Sequence, residues 1–367
     1  MKLRWFYPQF DEKEQIAAMK VIESQYINDG EVTAQFEQAV ANFIGCKHCV
    51  AVTSGTAAIA LSLMALGIGP GDEVIVPDFT FIATANAVRL TGAEVKLVDI
   101  EPVRFTIDPN RIRSAIGPRT KAIIPVDVNG RGADYAAIES IAKECGLAVI
   151  CDSAEALGSK YQGKYLGTYG DAGCFSFSAN KTVSSGQGGM VATNKPEVYH
   201  RLKELKDHGR RFGGTGGNDL HPVMGYNFKY TNLQAAIALA QFGKIEKRLQ
   251  HFQQRDQWYR TALEFCEGIT LPLLHTDTGE VRQWTDLLCL DRSRLEELFH
   301  KEAIDCRPFW LPLHRQKPYL LPDVGFENTI QISAQGLWLP SFFDITKEDI
   351  HRVAAVIHQI SQVAGVQ

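Results

Sequence analysis

The amino-acid sequence predicts an α/β protein built around a large, mostly parallel sheet. Between residues 46 and 194, short β-branched runs that are apolar on both faces alternate with amphipathic stretches. This alternation is typical of parallel strands covered by helices. The 367 residues correspond to about two domains at roughly 150 residues each. We therefore expect a large domain over residues 1–248 and a smaller C-terminal α/β domain over residues 249–367.

The elements follow one another in a regular order. The predicted strands, in chain order, are CVAVTS, EVIVPDF, EVKLVDI, KAIIPVDV and LAVICD, with a further strand from Gly173 to Ser178. Helices are expected at residues 56–66 and 134–145, and one or two long helices over 231–265. The glycine-rich segment at 210–222 is expected to be a mobile loop. Because ligands of open α/β sheets bind beyond the carboxyl ends of the strands, the site is expected there.

The composition argues against nucleic-acid binding and against membrane insertion. The formal net charge is -4, whereas nucleic-acid-binding proteins usually concentrate Lys and Arg on one face. No run of about 20 apolar residues occurs, and the N-terminal stretch does not resemble a secretory signal. We therefore expect a cytoplasmic protein with reduced cysteines. Cys46 and Cys49 have a C-x-x-C spacing but no second pair that would complete a metal site, so no metal is predicted.

The first candidate site segment is Thr53-Ser54-Gly55-Thr56, which closes a strand and opens a helix. Exposed amide groups at a helix N-terminus, with small residues and hydroxyl groups beside them, suit a phosphate. The alternative is a plain helix N-cap by Ser54 or Thr53.

Asp152 ends the strand LAVICD. A carboxylate at the end of a buried strand needs a partner or a chemical role, because an isolated buried charge is strongly unfavourable. Either it caps the following turn, or it holds the protonated ring nitrogen of a pyridine cofactor.

Lys181 stands between a short apolar strand and a run of serines and glycines. At the edge of a core, a lysine loses solvation of its charged form, which favours the free amine as a nucleophile or Schiff-base former. Ser176 is expected to face the same pocket, and the glycines between residues 186 and 189 allow close approach of a ligand. A phosphate site, a stacking aromatic, a ring-nitrogen partner and a lysine together meet the needs of pyridoxal phosphate.

The chain resembles the DegT/DnrJ/EryC1/StrS family of sugar aminotransferases, pyridoxal-phosphate enzymes with the aspartate-aminotransferase fold. The similarity extends over nearly the whole chain, in residues 54–88, 152–194, 205–210, 225–248 and 307–319. Its motifs include SGTAAIALSLMALGIGPGDEVIVPDFTF, CFSFSANK and RPFWLPLHRQKPY.

The resemblance implies specific roles at the cofactor ring. Lys181 would form the Schiff base and then move a proton between cofactor and substrate, and Asp152 would pair with the ring nitrogen. Phe81 would stack on the ring, Ala154 would pack beneath it, and Glu155 would approach its 3′ oxygen.

At the phosphate end, the resemblance implies contacts from Gly55, Thr56 and Ser176. Asn227 resembles an asparagine that reaches the phosphate from a partner subunit. A homodimer with shared active sites is therefore implied.

The resemblance also bears on the substrates. Glu155 replaces the His or Gln of many members, and this Glu together with Asn180 resembles the perosamine-synthase-like branch. That branch points to 4-amination of a nucleotide-linked 4-keto-6-deoxy sugar such as GDP-4-keto-6-deoxymannose; a 3-keto sugar is the alternative. L-glutamate would convert the cofactor to pyridoxamine 5′-phosphate, and the keto sugar would then accept the nitrogen.

Two further positions are implied to bind substrate. Lys229 stands where Arg is frequent, and a single ammonium cannot form the bidentate fork of a guanidinium. His314 matches a histidine near the sugar, the alternative being a surface loop residue.

Three other functions were weighed against the aminotransferase. A sugar dehydratase of the same fold carries His where Lys181 stands, and a non-catalytic relative would be expected to lose Lys181 or Asp152. A dinucleotide-dependent oxidoreductase is prompted by the glycines of residues 67–71, but these follow a helix and precede a strand. That order is the reverse of a Rossmann fingerprint.

Overall fold

The structure, a computed structural model, describes residues 2–211 and 219–364 of the chain. Most of the predicted glycine-rich loop, residues 212–218, therefore lies outside the described residues.

Helices and strands alternate through the first half of the chain. The helices are α1 (Glu12–Glu23), α2 (Glu31–Ile44), α3 (Gly55–Ala65), α4 (Ala83–Leu90), α5 (Pro109–Ala115), α6 (Tyr135–Cys145), α7 (Pro196–Lys206), α8 (Asn232–Phe242), α9 (Ile245–Ala262), α10 (Arg292–Lys301), α11 (Glu327–Gln335) and α12 (Lys347–Ala364). The strands are β1 (His48–Val52), β2 (Glu73–Pro77), β3 (Glu94–Val98), β4 (Thr120–Ile123), β5 (Ala148–Asp152), β6 (Lys160–Tyr161), β7 (Lys164–Tyr165), β8 (Ala172–Ser176), β9 (Gly189–Thr193), β10 (Ile269–Thr270), β11 (Thr285–Cys289), β12 (Arg307–Pro308) and β13 (Gly336–Leu339).

A seven-stranded sheet with the order β1-β9-β8-β5-β4-β2-β3 forms the larger layer. Strand β9 runs antiparallel to β1 and to β8, and the remaining neighbours are parallel. The predicted α/β class with a mostly parallel sheet is confirmed, and the six predicted strands correspond to β1, β2, β3, β4, β5 and β8.

Apolar residues on both faces of the strands explain this architecture. In β2, Val74 and Val76 pack in the core that contains Ala58 and Leu61 of α3. The intervening Ile75 packs on the opposite face with Ile138 of α6. Since alternate side chains of a strand point to opposite faces, a continuously apolar strand requires helices on both sides, as the sequence predicted.

A second, four-stranded antiparallel sheet with the order β10-β11-β13-β12 lies toward the C-terminus. Its core includes Leu287 and Leu337 from the strands and Tyr259 from the end of α9, together with Leu3 near the N-terminus. The predicted helical stretch 231–265 is two helices, α8 and α9. The domain boundary after residue 248 falls within α9 and stays a prediction.

The eight cysteines are free thiols. Cys49, Cys151, Cys174, Cys266 and Cys289 are buried. Within the part of the chain that the structure describes, every helix is too short or too polar to span a bilayer.

Candidate active site

A cavity of about 520 Å³ opens at the carboxyl ends of the strands in the large sheet. Predicted site residues that line it are Gly55, Thr56, Phe81, Asp152, Glu155, Ser176 and Lys181. They follow or end strands β1, β2, β5 and β8, so the parallel sheet brings together residues that are far apart in sequence. The cavity lies where the rule for open α/β sheets places a ligand.

Asp152 lies on the floor of this cavity and is only 6% exposed. Its Oδ2 accepts a hydrogen bond from Thr84 Oγ1 at 2.7 Å, and its Oδ1 accepts one from the Ala154 N–H at 3.2 Å. Burial raises the pKa of Asp152, and these two hydrogen bonds oppose the shift. The carboxylate therefore caps the following turn. Its hydrogen-bond partners among the described residues are neutral, and a protonated ring nitrogen would supply the missing positive charge.

Lys181 pairs with Glu155 inside the cavity. The Nζ atom lies 3.1 Å from Glu155 Oε1, and the two side chains are 12% and 8% exposed. The backbone N–H of Asn129 donates to the other carboxylate oxygen at 3.3 Å. Nζ also lies 5.1 Å from the ring centroid of Trp284. The sequence argument for a free amine considered burial alone, whereas the structure places a carboxylate beside the amine, and a neighbouring opposite charge favours the charged form.

The start of α3 forms the opposite end of the cavity. Ser54 caps the helix by accepting a hydrogen bond from the Ala57 N–H at 3.1 Å, as the plain N-cap interpretation required. The amides of the first turn have no partners within a helix. A Cβ atom on Gly55 would lie 3.0 Å from the Ser176 Cβ, so a larger residue here would push the helix start and the strand end apart by a few tenths of an ångström. The capped helix start and Ser176 line the same cavity, and amides at a helix N-terminus suit a phosphate.

Aromatic side chains form the remaining walls. Phe81 is 50% exposed and presents its ring to the cavity, and on other sides lie Trp5, Trp284 and Trp310 with Arg307. Sequence reasoning missed these four residues and Thr84. The signals that could have found them were the RPFW motif and the threonine in the helix after Phe81.

Asn227 and Lys229 do not line this cavity. Lys229 Nζ lies 2.8 Å from Asp207 Oδ1, and Asn227 forms an isolated β-bridge with Asp207. Lys229 contributes to a separate basic cavity, together with Lys203, Lys206, Arg210 and Arg211. The roles of Asn227 and Lys229 stay predictions.

His314 also lies outside the cavity lining, and it is fully buried. Its Nδ1 lies 2.6 Å from Asp78 Oδ2, and its Nε2 lies 3.1 Å from Asp323 Oδ1. Its ring stacks on Phe326 with centroids 4.4 Å apart. The alternative of a surface loop residue is therefore wrong, and contact with the sugar stays a prediction.

The chemistry of these donors fits pyridoxal 5′-phosphate. The ring nitrogen of that cofactor matches the buried carboxylate of Asp152, which needs a cation, and its aldehyde matches the amine of Lys181. Its ring matches the exposed face of Phe81, and its phosphate matches the glycine-lined start of α3. Together with the fold, the site defines a pyridoxal-phosphate-dependent transaminase.

The chain belongs to the DegT/DnrJ/EryC1/StrS aminotransferase family, whose sequence profile matches residues 8–358. It is 35% identical to GDP-perosamine synthase of Caulobacter vibrioides over 366 residues, which is 96% of each chain. The structure of S. venezuelae DesV in complex with a ketimine intermediate is similar, with a TM-score of 0.90, 30% identity, and 95% of this chain and 94% of that chain covered. DesI, solved in the presence of its TDP-sugar product, gives a TM-score of 0.90 at 28% identity, covering 99% of this chain and 93% of that chain. The predicted family, enzyme class and cofactor are confirmed.

Proposed function

We propose that the protein transfers the amino group of L-glutamate to a nucleotide-linked keto-deoxy sugar. The observation that carries this proposal is that Lys181 and Asp152 line one cavity together with the N-terminus of α3. The similarity to GDP-perosamine synthase over 96% of each chain supports a nucleotide sugar as the acceptor, as does the TDP-sugar product of DesI.

The acceptor we favour is GDP-4-keto-6-deoxymannose, aminated at C4. Two features support it: the 35% identity with GDP-perosamine synthase, and the carboxylate of Glu155 at the lysine, which by resemblance points to the same branch. The ion pair between Glu155 and Lys181 gives that glutamate a function within the cavity.

When bound, pyridoxal phosphate supplies a ring that withdraws electrons from the carbon that gains or loses the amino group. The role we assign to Asp152 is to hold the ring N–H as an ionised partner. An adjacent cation opposes the effect of burial on the pKa of a carboxylate, so the bound ring would keep Asp152 charged. Thr84 and Ala154 orient its two oxygens.

The role we assign to Lys181 is to bind the cofactor and afterwards to carry a proton on one face of the site. Glu155 Oε1 lies 3.1 Å from Nζ and holds the lysine side chain in position within the cavity. The amide of Asn129 fixes the second Glu155 oxygen at 3.3 Å, so the acceptor oxygen stays directed at Nζ. The role we assign to Phe81, which lines the cavity, is to cover one face of the ring.

We assign phosphate binding to Gly55, Thr56 and Ser176. Gly55 and Thr56 lie at the N-terminus of α3, which carries a partial positive charge. We assign the remaining contact to Asn227 of a second copy, since this asparagine does not line its own chain's cavity. A homodimer with shared sites follows. The eight free thiols support a cytoplasmic location, where cysteines remain reduced.

The test is transfer of a nitrogen label. The holoenzyme is incubated with 15N-labelled L-glutamate and GDP-4-keto-6-deoxymannose, and the nucleotide fraction is analysed by mass spectrometry. We expect a labelled GDP-amino sugar and an equal amount of 2-oxoglutarate, with neither product formed by Lys181→Ala. In a parallel incubation, labelled amino sugar formed from a 3-keto nucleotide sugar and not from the 4-keto sugar would move the reaction to another carbon. Label in no nucleotide sugar would overturn the proposed function.

A further inference from the structure

Arg307 brings a positive charge to the active-site cavity without a carboxylate beside it. It lies on β12, paired in register with Trp338 of β13, and its side chain lines the cavity together with Lys181. Its guanidinium carbon lies 5.1 Å from the ring centroid of Trp5 and 5.6 Å from that of Trp338. Within residues 2–211 and 219–364, no side chain forms an ion pair or a hydrogen bond with this guanidinium.

Arginines buried elsewhere in the described part of the chain use their charge within the fold. Arg131 forms an ion pair with Asp286, and Arg255 donates to the carbonyl oxygen of Ser341 at 2.8 Å. Contacts with aromatic rings stabilise the charge of Arg307 but leave its five N–H donors available. A ligand in the cavity can therefore use them.

The charges of the cavity lining show which ligand group this donor set would meet. The cationic side chains that line the described cavity are Lys181 and Arg307, and Lys181 is paired with Glu155 and reserved for the cofactor. Arg307 is the remaining cation, so the cavity offers a substrate one fork of parallel N–H donors. That fork matches one carboxylate in bidentate geometry, whereas a diphosphate carries more negative charge than one guanidinium balances.

We propose that Arg307 binds a carboxylate of the amino donor. This inference rests on the proposed function, in which donor and keto sugar use the same cavity in turn. L-glutamate brings carboxylates to the site, whereas the reacting sugar ring is uncharged. When the sugar replaces the donor, the Trp5 and Trp338 rings still stabilise the guanidinium, so one arginine serves both half-reactions.

The arginine and the lysine are joined by a continuous aromatic surface. Lys181 Nζ lies over Trp284, the Trp284 and Trp5 centroids are 5.2 Å apart, and the Arg307 guanidinium lies over Trp5. A donor bound between Lys181 and Arg307 would therefore lie along these rings.

The experiment measures binding of glutarate, an unreactive dicarboxylate without an amine, to the holoenzyme by isothermal titration calorimetry. We expect Arg307→Gln to raise the Kd of glutarate about 30-fold, because a charge-assisted bidentate contact is lost. Arg307→Lys should raise it about 5-fold, since the charge remains and the fork is lost. Binding of GDP should change less than about threefold. The matched control is Arg119→Gln, whose side chain pairs with Glu73 at the surface and should leave both values unchanged.

A second measurement follows the cofactor absorbance during single turnover with L-glutamate. The concentration of glutamate that gives half the limiting rate should rise by the same factor as the Kd of glutarate. Unchanged glutarate binding in both Arg307 variants overturns the proposal, and so does weaker binding of GDP alone or loss of bound cofactor. If Arg307→Gln does not fold, Arg307→Lys carries the test. Wild-type protein that binds glutarate through Arg307 but aminates no sugar contradicts only the proposed function. Wild-type protein that binds no glutarate contradicts the role of Arg307, and the nitrogen-transfer test then decides the proposed function on its own.

Discussion

Nδ1 of His314 lies 2.6 Å from Oδ2 of Asp78, and both side chains are fully buried. The backbone N–H of His314 donates to the second carboxylate oxygen at 2.7 Å. Asp78 follows β2 and directly precedes the segment that carries Phe81, whereas His314 comes from the C-terminal part of the chain. This pair therefore joins the C-terminal part to the loop that forms one wall of the active site.

Replacing His314 by Ala is expected to destabilise the protein. Burial already raises the pKa of Asp78, and His314 is the partner that opposes this shift. Removal of one member of a buried pair leaves the other without compensation, so we expect the free energy of unfolding to fall by about 3 kcal/mol. Chemical denaturation of the two proteins measures the difference.

The control for this prediction is Arg315→Ala, which breaks an exposed pair with Asp323 and should be close to neutral. A His314→Ala protein of normal stability whose KM for the keto sugar is raised would contradict the structural role. That result would support the sugar contact inferred from the resemblance.

Replacing Asp152 by Asn should preserve cofactor binding and slow the chemical step. The amide has nearly the same shape and can still accept from Thr84 Oγ1, which lies 2.7 Å from the carboxylate, but it cannot balance a positive ring nitrogen. We expect the single-turnover rate with L-glutamate to fall roughly 100-fold or more, as when other preorganised electrostatic partners are removed. Stopped-flow absorbance measures it.

Thr84→Val is the matched control because it removes one hydrogen bond to the same carboxylate and leaves the charge. Its rate should fall about fivefold, in line with the loss of a single neutral donor. Near-normal turnover in Asp152→Asn would rule out the assigned partner of the ring nitrogen.

Much of the fold and half of the site could be predicted from local sequence patterns. Strands such as β2 and β5 are apolar on both faces, a signal that depends on a few neighbouring residues. Asp152 and Lys181 stood out because each follows such a run. Their common cavity could then be expected from the rule that ligands bind beyond the carboxyl ends of parallel strands.

The rest of the site depends on contacts that no local pattern reports. Trp5 comes from the N-terminal segment, Trp284 directly precedes β11, and Arg307 lies on β12. Their approach to Lys181 therefore depends on how the two sheets pack. The sequence does not predict strand β9 separately. Its antiparallel direction is set by its pairing with β1 and β8, which a local sequence pattern does not report. The burial of His314 likewise depends on Asp78, which is 236 residues away in sequence.

Lys181 is expected to be the residue that carries the cofactor covalently. After borohydride reduction, peptide mass spectrometry of the wild-type protein should find the added cofactor mass on the peptide that contains Lys181, because a primary amine is required for that bond. Lys181→Ala should carry none, whereas Lys229→Ala should be labelled normally, since Lys229 lies in the separate basic cavity. Cofactor mass on another lysine of the wild-type protein would refute the assignment.

Asp127 is expected to make the stability of the protein depend on pH near neutrality. Its carboxylate is fully buried and accepts hydrogen bonds from Ser153 Oγ at 2.5 Å and Tyr135 OH at 2.7 Å. Burial raises its pKa to about 7, from a model-peptide value of 3.8. Between these two values the folded protein holds a proton that the unfolded chain has released, so the free energy of unfolding falls as pH rises.

The variant Asp127→Asn removes this titration and isolates its contribution. Between pH 5 and pH 7, the free energy of unfolding of the wild type should fall by about 2 to 3 kcal/mol relative to the variant. Urea denaturation of both holoproteins at matched ionic strength measures the difference, with equal m-values as the check that the unfolding transition is the same. At pH 5 the variant is expected to be less stable than the wild type, because its NH2 group replaces one of the two oxygens that accept hydrogen bonds from Ser153 and Tyr135. Its stability relative to the wild type should then rise with pH. If the two pH profiles are parallel, Asp127 is ionised in the folded protein throughout this range and its burial is compensated by the hydrogen bonds alone.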